Sequence, residues 1–470
     1  MHDLVSQPIA SGTRVGAVMA DIRGRIASRR LAPGARLPSV REFAQALGVS
    51  KSTVVDAYER LVAEGAIASR RGSGFYVEGT TRPLSLQSLR PDLDRAIDPL
   101  WMTRQNLSCG PDVLKPGWGL LPDSYMPDEA VQRALRDIAR DPDPAGRLRY
   151  ASPLGLAPLR EQIALHLGAR GVAAEPDRVM LADSVSHGLD LVLRYLIEPG
   201  ETVLVDDPCY FNFLALLLSH RARVVSVPFG ADGVDVEALA RVIAAERPRI
   251  YLTTAGPQNP TGATLSAATA HRVLTLAERH DMIVVEDDCF ADFEPEPSPR
   301  LAAADGLRRV VLVGGFSKTV SGAMRNGFVV ARPDWIEGLI DLKLSTCHSG
   351  SNLSAQVAHR VLSSGTYKRH VEALRGKLAR DRALTLARLR ACGLAPMLEP
   401  RSGPYLWAEL PGGLDAAAVA RFALEEDVLL APGDVFSASR SSTGFLRFNA
   451  AACAEPRIFE VLARAIERAG

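Results

Sequence analysis

The stretch VVLVGGFSKTVSGAMRNGF, residues 310–328, decides how this chain reads. A Val/Leu run ends in Gly314 and Gly315, Phe-Ser-Lys follows, and Arg325 comes seven residues after Lys318. An apolar run that stops at glycines suggests a buried strand opening into a tight loop. A lysine there, between a serine and an arginine, suits an aldehyde cofactor carrying a phosphate, as pyridoxal phosphate does. Lys318 would form the Schiff base while Ser317 and Arg325 hold the phosphate.

Upstream, further apolar runs alternate with helical stretches: VLVDD (203–207), RVVSV (223–227), IYLTT (250–254) and MIVVEDD (282–288). Several end in acidic or small residues, as buried parallel strands do when function gathers at their carboxyl ends. ADSVSHGLDLVLRYL (182–196) follows a short strand and opens a helix, so the amides of Val185 and Ser186 would face a phosphate. Tyr210, after a strand end, would stack on a pyridine ring, although a core tyrosine fits equally well. Asn259 in GPQNPTG (256–262) would reach a ring hydroxyl. Asp287 would pair with the pyridine nitrogen, with Asp288 and Glu286 as rivals. Arg447 in GFLRFNAA (444–451) suits bidentate capture of an effector's carboxylate, where a lone arginine more often makes a surface salt bridge.

The N-terminal 78 residues hold 11 Lys/Arg against 7 Asp/Glu, a modest basic excess in a chain of net charge +1. Within RLPSVREFAQALGVSKSTVVDAYERLVAEGAIASRRGSGFYVE (36–78), Arg41–Leu47 suits a short helix, Gly48 a turn and Ser50 an N-cap. Val54, Ala57, Tyr58 and Leu61 then recur on one helical face. Ser50-Lys51-Ser52-Thr53 makes a short, polar, basic first turn that would enter a major groove. Two short strands follow around the glycine-rich tip Arg70–Gly74.

In order, L-P-S-x-R-E (37–42), G-V-S-x-x-T-V (48–54) and G-S-G-F-Y-V (72–77) resemble the winged helix-turn-helix of the GntR family. That resemblance implies DNA contact by Arg41, Lys51, Ser52, Thr53 and Gly72. Residues from about 110 to 470 resemble fold-type-I aminotransferases, and the combination resembles the MocR subgroup of regulators. The implied fold is α/β: an aminotransferase-like body with a mostly parallel sheet, helices on both faces and a small α+β C-terminal part, behind the winged head. The implied boundaries are 1–79 for the head, 80–108 for a linker that docks through its leucines and Trp101, and 109–470 for the body. The resemblance also implies a head-to-tail homodimer. In it Tyr150, in RLRYASPLG (147–155, ending at Gly155), would serve the neighbouring subunit's site.

Three positions depart from the family pattern. Phe290 stands where a tyrosine usually follows the acidic pair, Gly315 where a serine is frequent, and Ser184 where a glycine is common. The first would leave Asn259 as main partner of the ring hydroxyl, and the second removes a phosphate ligand. These losses tilt the expectation toward a DNA-binding regulator that senses an amino acid or amine by aldimine exchange at Lys318. The alternative is a working aminotransferase that carries a DNA-binding head.

An apolar fraction of 47% with 23% charged residues is ordinary for a globular protein with large cores. The six cysteines are scattered without C-x-x-C, so reduced thiols and no metal centre are expected. No signal peptide or membrane-length run appears, which makes a cytoplasmic protein the expectation.

Overall fold

The five apolar runs pair side by side in the computed structural model, which describes residues 14–27, 31, 35–70, 74–77, 99–143 and 145–470. The chain divides into two compact units, Met1–Arg90 and Pro91–Gly470.

In the first unit, helices Arg14–Ala27, Val40–Leu47 and Lys51–Ala63 precede an antiparallel pair, β1 (Ile67–Arg70) and β2 (Gly74–Val77). Ser39 caps the second helix and, with Glu42, closes a capping box; Gly48 ends that helix at φ 63°. Val54, Ala57, Tyr58 and Leu61 are all buried, packed with Val18, Ile22 and Phe43. The Tyr58 hydroxyl donates to Pro38 O at 2.9 Å, which ties the third helix to the turn before the second.

The second unit is built on eight strands: β3 (Val179–Ala182), β4 (Thr202–Asp207), β5 (Arg223–Gly230), β6 (Gly233–Val234), β7 (Ile250–Thr253), β8 (Ile283–Asp287), β9 (Val310–Gly315) and β10 (Gly327–Val330). Their order is β3-β10-β9-β8-β7-β4-β5-β6. The run from β9 to β5 is parallel. By contrast, β10 lies antiparallel to both β9 and β3, and β6 is antiparallel to β5.

These strands are apolar at nearly every position because both faces are covered. Val203, Val205, Ile283, Val285, Val311 and Val313 pack under helices Val185–Leu196, Phe211–Ser219 and Pro333–Thr346. Their neighbours Leu204, Val284, Val310 and Leu312 face the opposite layer, with helices Asp128–Arg140, Ala157–Gly168, Val236–Glu246, Ala267–Arg279 and Asn352–Leu362.

The C-terminal part is a smaller antiparallel sheet: β11 (Ala395–Pro396), β12 (Tyr405–Glu409), β13 (Ala431–Pro432) and β14 (Phe445–Asn449), ordered β11-β12-β14-β13. Helices Ala416–Glu425 and Arg457–Ala469 pack on it. Trp101 does dock, but not as part of a linker. It opens helix Trp101–Ser108 and is buried with Phe211, Trp407 and Phe436, so the body begins before residue 109. Residues 78–98, most of the expected linker, lie outside the described residues.

One buried charge cluster locks the segment after β8. Arg300 is fully buried, with Nε 2.6 Å from Asp288 and Nη2 on Glu294. Removing the cation would strand two buried carboxylates. Arg300→Ala is expected to cost about 3–5 kcal/mol, read as a lowered urea midpoint.

Candidate cofactor and effector site

The carboxyl ends of the parallel strands open into a cavity of about 380 Å³. Register sets its floor. Asp287 ends β8 opposite Val313, and β9 runs two residues further before turning into Ser317 and Lys318. The sequence left three acidic candidates, and the packing separates them. Asp288 is taken by Arg300. Glu286 accepts from the amides of Leu301 and Ala302 at 3.0 and 2.8 Å. Asp287 alone of the three lines the cavity. Burial pushes its carboxyl up to about 6, against the Cys289 amide that donates to it at 3.0 Å.

Lys318 lines the same cavity, and burial brings its amine down to about 8. Arg447 and Arg325 act in the same direction, while Cys289 and Asp287 oppose. The amine donates to Gly119 O at 2.7 Å.

Opposite, Ser184 caps helix Val185–Leu196 by accepting from the His187 amide at 3.0 Å. That leaves the amides of Val185 and Ser186, in the first turn, without intrahelical acceptors. Ser317 and Arg325 border the same end. Arg325 sits at φ 47°, exposed, and no hydrogen-bond or ion-pair partner engages its guanidinium among the described residues. The donor set therefore fits a phosphate.

Gly315 has a steric reason. A Cβ there would meet Asn326 O and Val185 Cγ2, each at 2.9 Å, so a serine has no room.

Tyr210 lines the cavity, with Phe213 edge-on at 5.5 Å. Asn259 gives its carbonyl to Arg447 Nη1 at 2.8 Å, which leaves its amide nitrogen for the cavity. Arg447 is not among the residues that line the cavity. It is 0% exposed, and Nη2 donates to Gly117 O at 2.7 Å.

Three features were not foreseen. Cys289, next after the acidic pair, lines the cavity beside Phe290, and burial raises its thiol well above the ordinary range. Tyr405 packs edge-on to Phe290 at 5.3 Å and donates to Gly119 O at 2.9 Å. Its place beside β14 comes from sheet register, which no local motif encodes. The third is the segment Gly117–Leu120, which borders the cavity through Trp118, Gly119 and Leu120.

Outside the cavity, Asp183, His187 and Cys347 bring possible ligand atoms within 4.8 Å of one another. His187 Nδ1 there accepts from the Asp183 amide at 3.2 Å, and the Lys343 ammonium lowers the imidazole further after burial.

In the head, Arg41, Lys51 and Ser52 are exposed at the starts of the second and third helices. Thr53 is half-buried, and its hydroxyl lies 2.7 Å from Ser50 Oγ. Gly72 lies outside the described residues. Tyr150 is 83% exposed and does not line the cavity; it stands edge-on to His348 at 4.6 Å.

Residues 121–466 match the aminotransferase class I and II family, and residues 14–77 match the bacterial regulatory proteins of the gntR family. The probable rhizopine catabolism regulatory protein MocR of Rhizobium meliloti is 30% identical over 428 residues, 87% of this chain and 84% of its own. The chain belongs to the MocR subgroup of the GntR family. It is a GntR-type transcription regulator fused to an aminotransferase-like domain. The 2-aminoadipate transaminase of Thermus thermophilus is 30% identical over 350 residues, 72% of this chain and 85% of its own. The solved α-aminoadipate aminotransferase from the same organism, complexed with N-(5'-phosphopyridoxyl)-L-leucine, superposes with a TM-score of 0.71. It is 28% identical and covers 78% of this chain and 94% of its own. Members of the aminotransferase family are pyridoxal-phosphate-dependent. No helix among the described residues is long and apolar enough to cross a membrane, and all six cysteines are free.

The lowered amine predicts early reactivity. Acetylation of the cofactor-free protein should label Lys318 half-maximally near pH 8, about two units below exposed lysines, as followed by peptide mass spectrometry. Gly315→Ser should lower stability by about 1–3 kcal/mol through overpacking, read by thermal unfolding.

Proposed function

We propose that the body binds pyridoxal phosphate through Lys318 and that the regulator thereby senses an amino acid or amine. The observation that carries this is convergence. One cavity gathers a lysine brought toward neutrality, a buried carboxylate and a set of phosphate donors. When bound, the cofactor supplies an aldehyde that condenses with amines and a ring that draws electrons.

The chain's own groups have separate tasks. Lys318 offers the amine and, freed, holds a proton beside the ring. Asp287 carries charge against the pyridine nitrogen. Asn259 reaches the ring hydroxyl with its amide nitrogen, and Tyr210 covers a ring face. Val185 and Ser186 amides, the Ser317 hydroxyl and Arg325 hold the phosphate. Arg447 receives an effector carboxylate.

In the head, Arg41, Lys51, Ser52, Thr53 and Gly72 meet double-stranded DNA. The subunits pair head-to-tail, and the exposed Tyr150, close to the 81%-exposed Leu148, reaches the neighbour's site. The protein works in the cytoplasm. An effector that binds two arrangements of body and head unequally shifts their populations and so DNA occupancy.

A second reading, an active aminotransferase carrying a DNA-binding head, is supported by Lys318 and Asp287 lining one cavity. Keto acid formed from amino acid and 2-oxoglutarate over many turnovers would establish an active aminotransferase and sink pure sensing.

Absorbance in the visible, titrated with amines and amino acids, tests the main reading. Wild type should carry a visible band that shifts with an effector, and Lys318→Ala should lack it. A spectrum indifferent to every compound would overturn sensing. Lys51→Ala should weaken binding to a duplex selected from a random pool. The slope of log affinity against log salt should fall by about one, measured by fluorescence anisotropy.

A further inference from the structure

Three side chains that have no part in the cavity meet beside its phosphate end. Asp183 precedes the cap Ser184, and His187 lies in the first turn of helix Val185–Leu196. Cys347 follows the last residue of helix Pro333–Thr346. The cysteine is 160 residues from the histidine, so no motif in the sequence joins them. All three are half-buried, and one possible ligand atom from each lies within 4.8 Å of the other two.

Their spacing is close to that of ligands on an ion. Sulfur and nitrogen bound to one tetrahedral zinc stand about 3.5 Å apart. Cys347 Sγ and His187 Nε2 are 3.9 Å apart, and Asp183 Oδ2 and His187 Nδ1 are 3.6 Å apart. Either ring nitrogen therefore has one neighbour near ligand distance. The carboxylate is seated against main chain three residues past the cysteine. Gly350 sits there at φ 71°, and a Cβ on it would come within 2.6 Å of Asp183 Oδ1.

Charge and hydrogen bonding leave the ligand atoms accessible. A Cys347 thiolate and the Asp183 carboxylate together match a divalent ion. Around the imidazole, Lys343 and Arg194 oppose a cation and Asp190 favours one. Lys343 spends its ammonium on Pro153 O and Leu181 O at 2.6 and 2.8 Å, so it takes none of the ligand atoms. His187 Nδ1 accepts from the Asp183 amide at 3.2 Å. An ion must displace that amide or move the ring proton to Nδ1, and either change gives up one long hydrogen bond.

We propose that Asp183, His187 and Cys347 bind one thiophilic divalent cation, Zn2+, with water in the fourth position. Thiolate, imidazole and carboxylate together suit zinc, whereas Mg2+ and Ca2+ take oxygen ligands. On binding, an S–Zn bond forms and the thiol proton leaves to solvent. The ion fastens both ends of the Asp183–His187 turn to Cys347. That turn contains Val185 and Ser186, so on the pyridoxal phosphate reading the ion steadies the phosphate amides from outside the cavity and tightens the cofactor.

The full-length protein, reduced with a phosphine and free of chelator, would be titrated with Zn2+ against a chromophoric chelator. One ion per chain should bind, about tenfold more weakly for each unit the pH falls through neutrality. Cys347→Ser and His187→Gln should each weaken it at least about tenfold. Cys392→Ser, at another half-buried thiol, should leave it unchanged. Co2+ in place of Zn2+ should give the visible bands of a tetrahedral ion, at longer wavelength than the cofactor. Octahedral bands, a stoichiometry well below one, or an affinity that survives either ligand substitution would overturn the proposal. Should a substitution unfold the chain, the wild-type cobalt spectrum still decides. Pyridoxal phosphate binding, measured with and without Zn2+, reads the second part: the ion should tighten the cofactor about fivefold in wild type and not in Cys347→Ser. A cofactor indifferent to a bound ion would overturn the bracing. A protein that binds zinc and never pyridoxal phosphate would sink the cofactor reading alone and leave the ion site standing.

Discussion

The parallel pairing of β8 with β9 is the constraint on which the site depends. Asp287 is level with Val313, so a carboxylate and, five residues on, an amine emerge at one edge of a dry sheet. Burial works on the two in opposite directions. It raises the acid to about 6 and lowers the base to about 8, which narrows the gap between them to about two units. Neither shift requires a special partner. Both follow from ending two apolar strands in ionisable residues under helical cover.

Buried arginines in this body meet two different fates. Arg300 is neutralised by Asp288 and Glu294, and that triad freezes the chain leaving β8. Arg447 has no such compensation among the described residues, and its guanidinium meets two neutral carbonyl oxygens and three aromatic rings. The first arrangement is closed and structural. The second leaves Nε without a hydrogen-bond partner among the described residues.

How much was legible in the sequence follows from how local each signal is. Lys318, Asp287 and the five parallel strands announce themselves within a dozen residues, because strand ends and tight loops are written locally. The GntR head is equally plain, since its cap at Ser50 and its buried stripe are written at fixed local spacing. The choice among Glu286, Asp287 and Asp288 is not local. It waits on Arg300 and on the amides of Leu301 and Ala302, which arrive from another element. The occupation of Arg447 by Gly117, 330 residues away, has no sequence signature. Gly315 read as a lost phosphate ligand, and packing shows a position where a Cβ would press on Asn326 O and Val185 Cγ2 at 2.9 Å. Trp101 read as a linker anchor, and it is a core residue of the body.

The close contact at Gly315 has a mechanical counterpart at Gly327, where a Cβ would lie 2.4 Å from the Ser184 carbonyl carbon. Main chain rests on main chain, with no side chain between to yield. The helix start at Val185 and the Lys318 loop therefore behave as one solid piece, an anvil. The other wall is of a different kind, made by Gly119, Leu120 and Tyr405 of the small sheet.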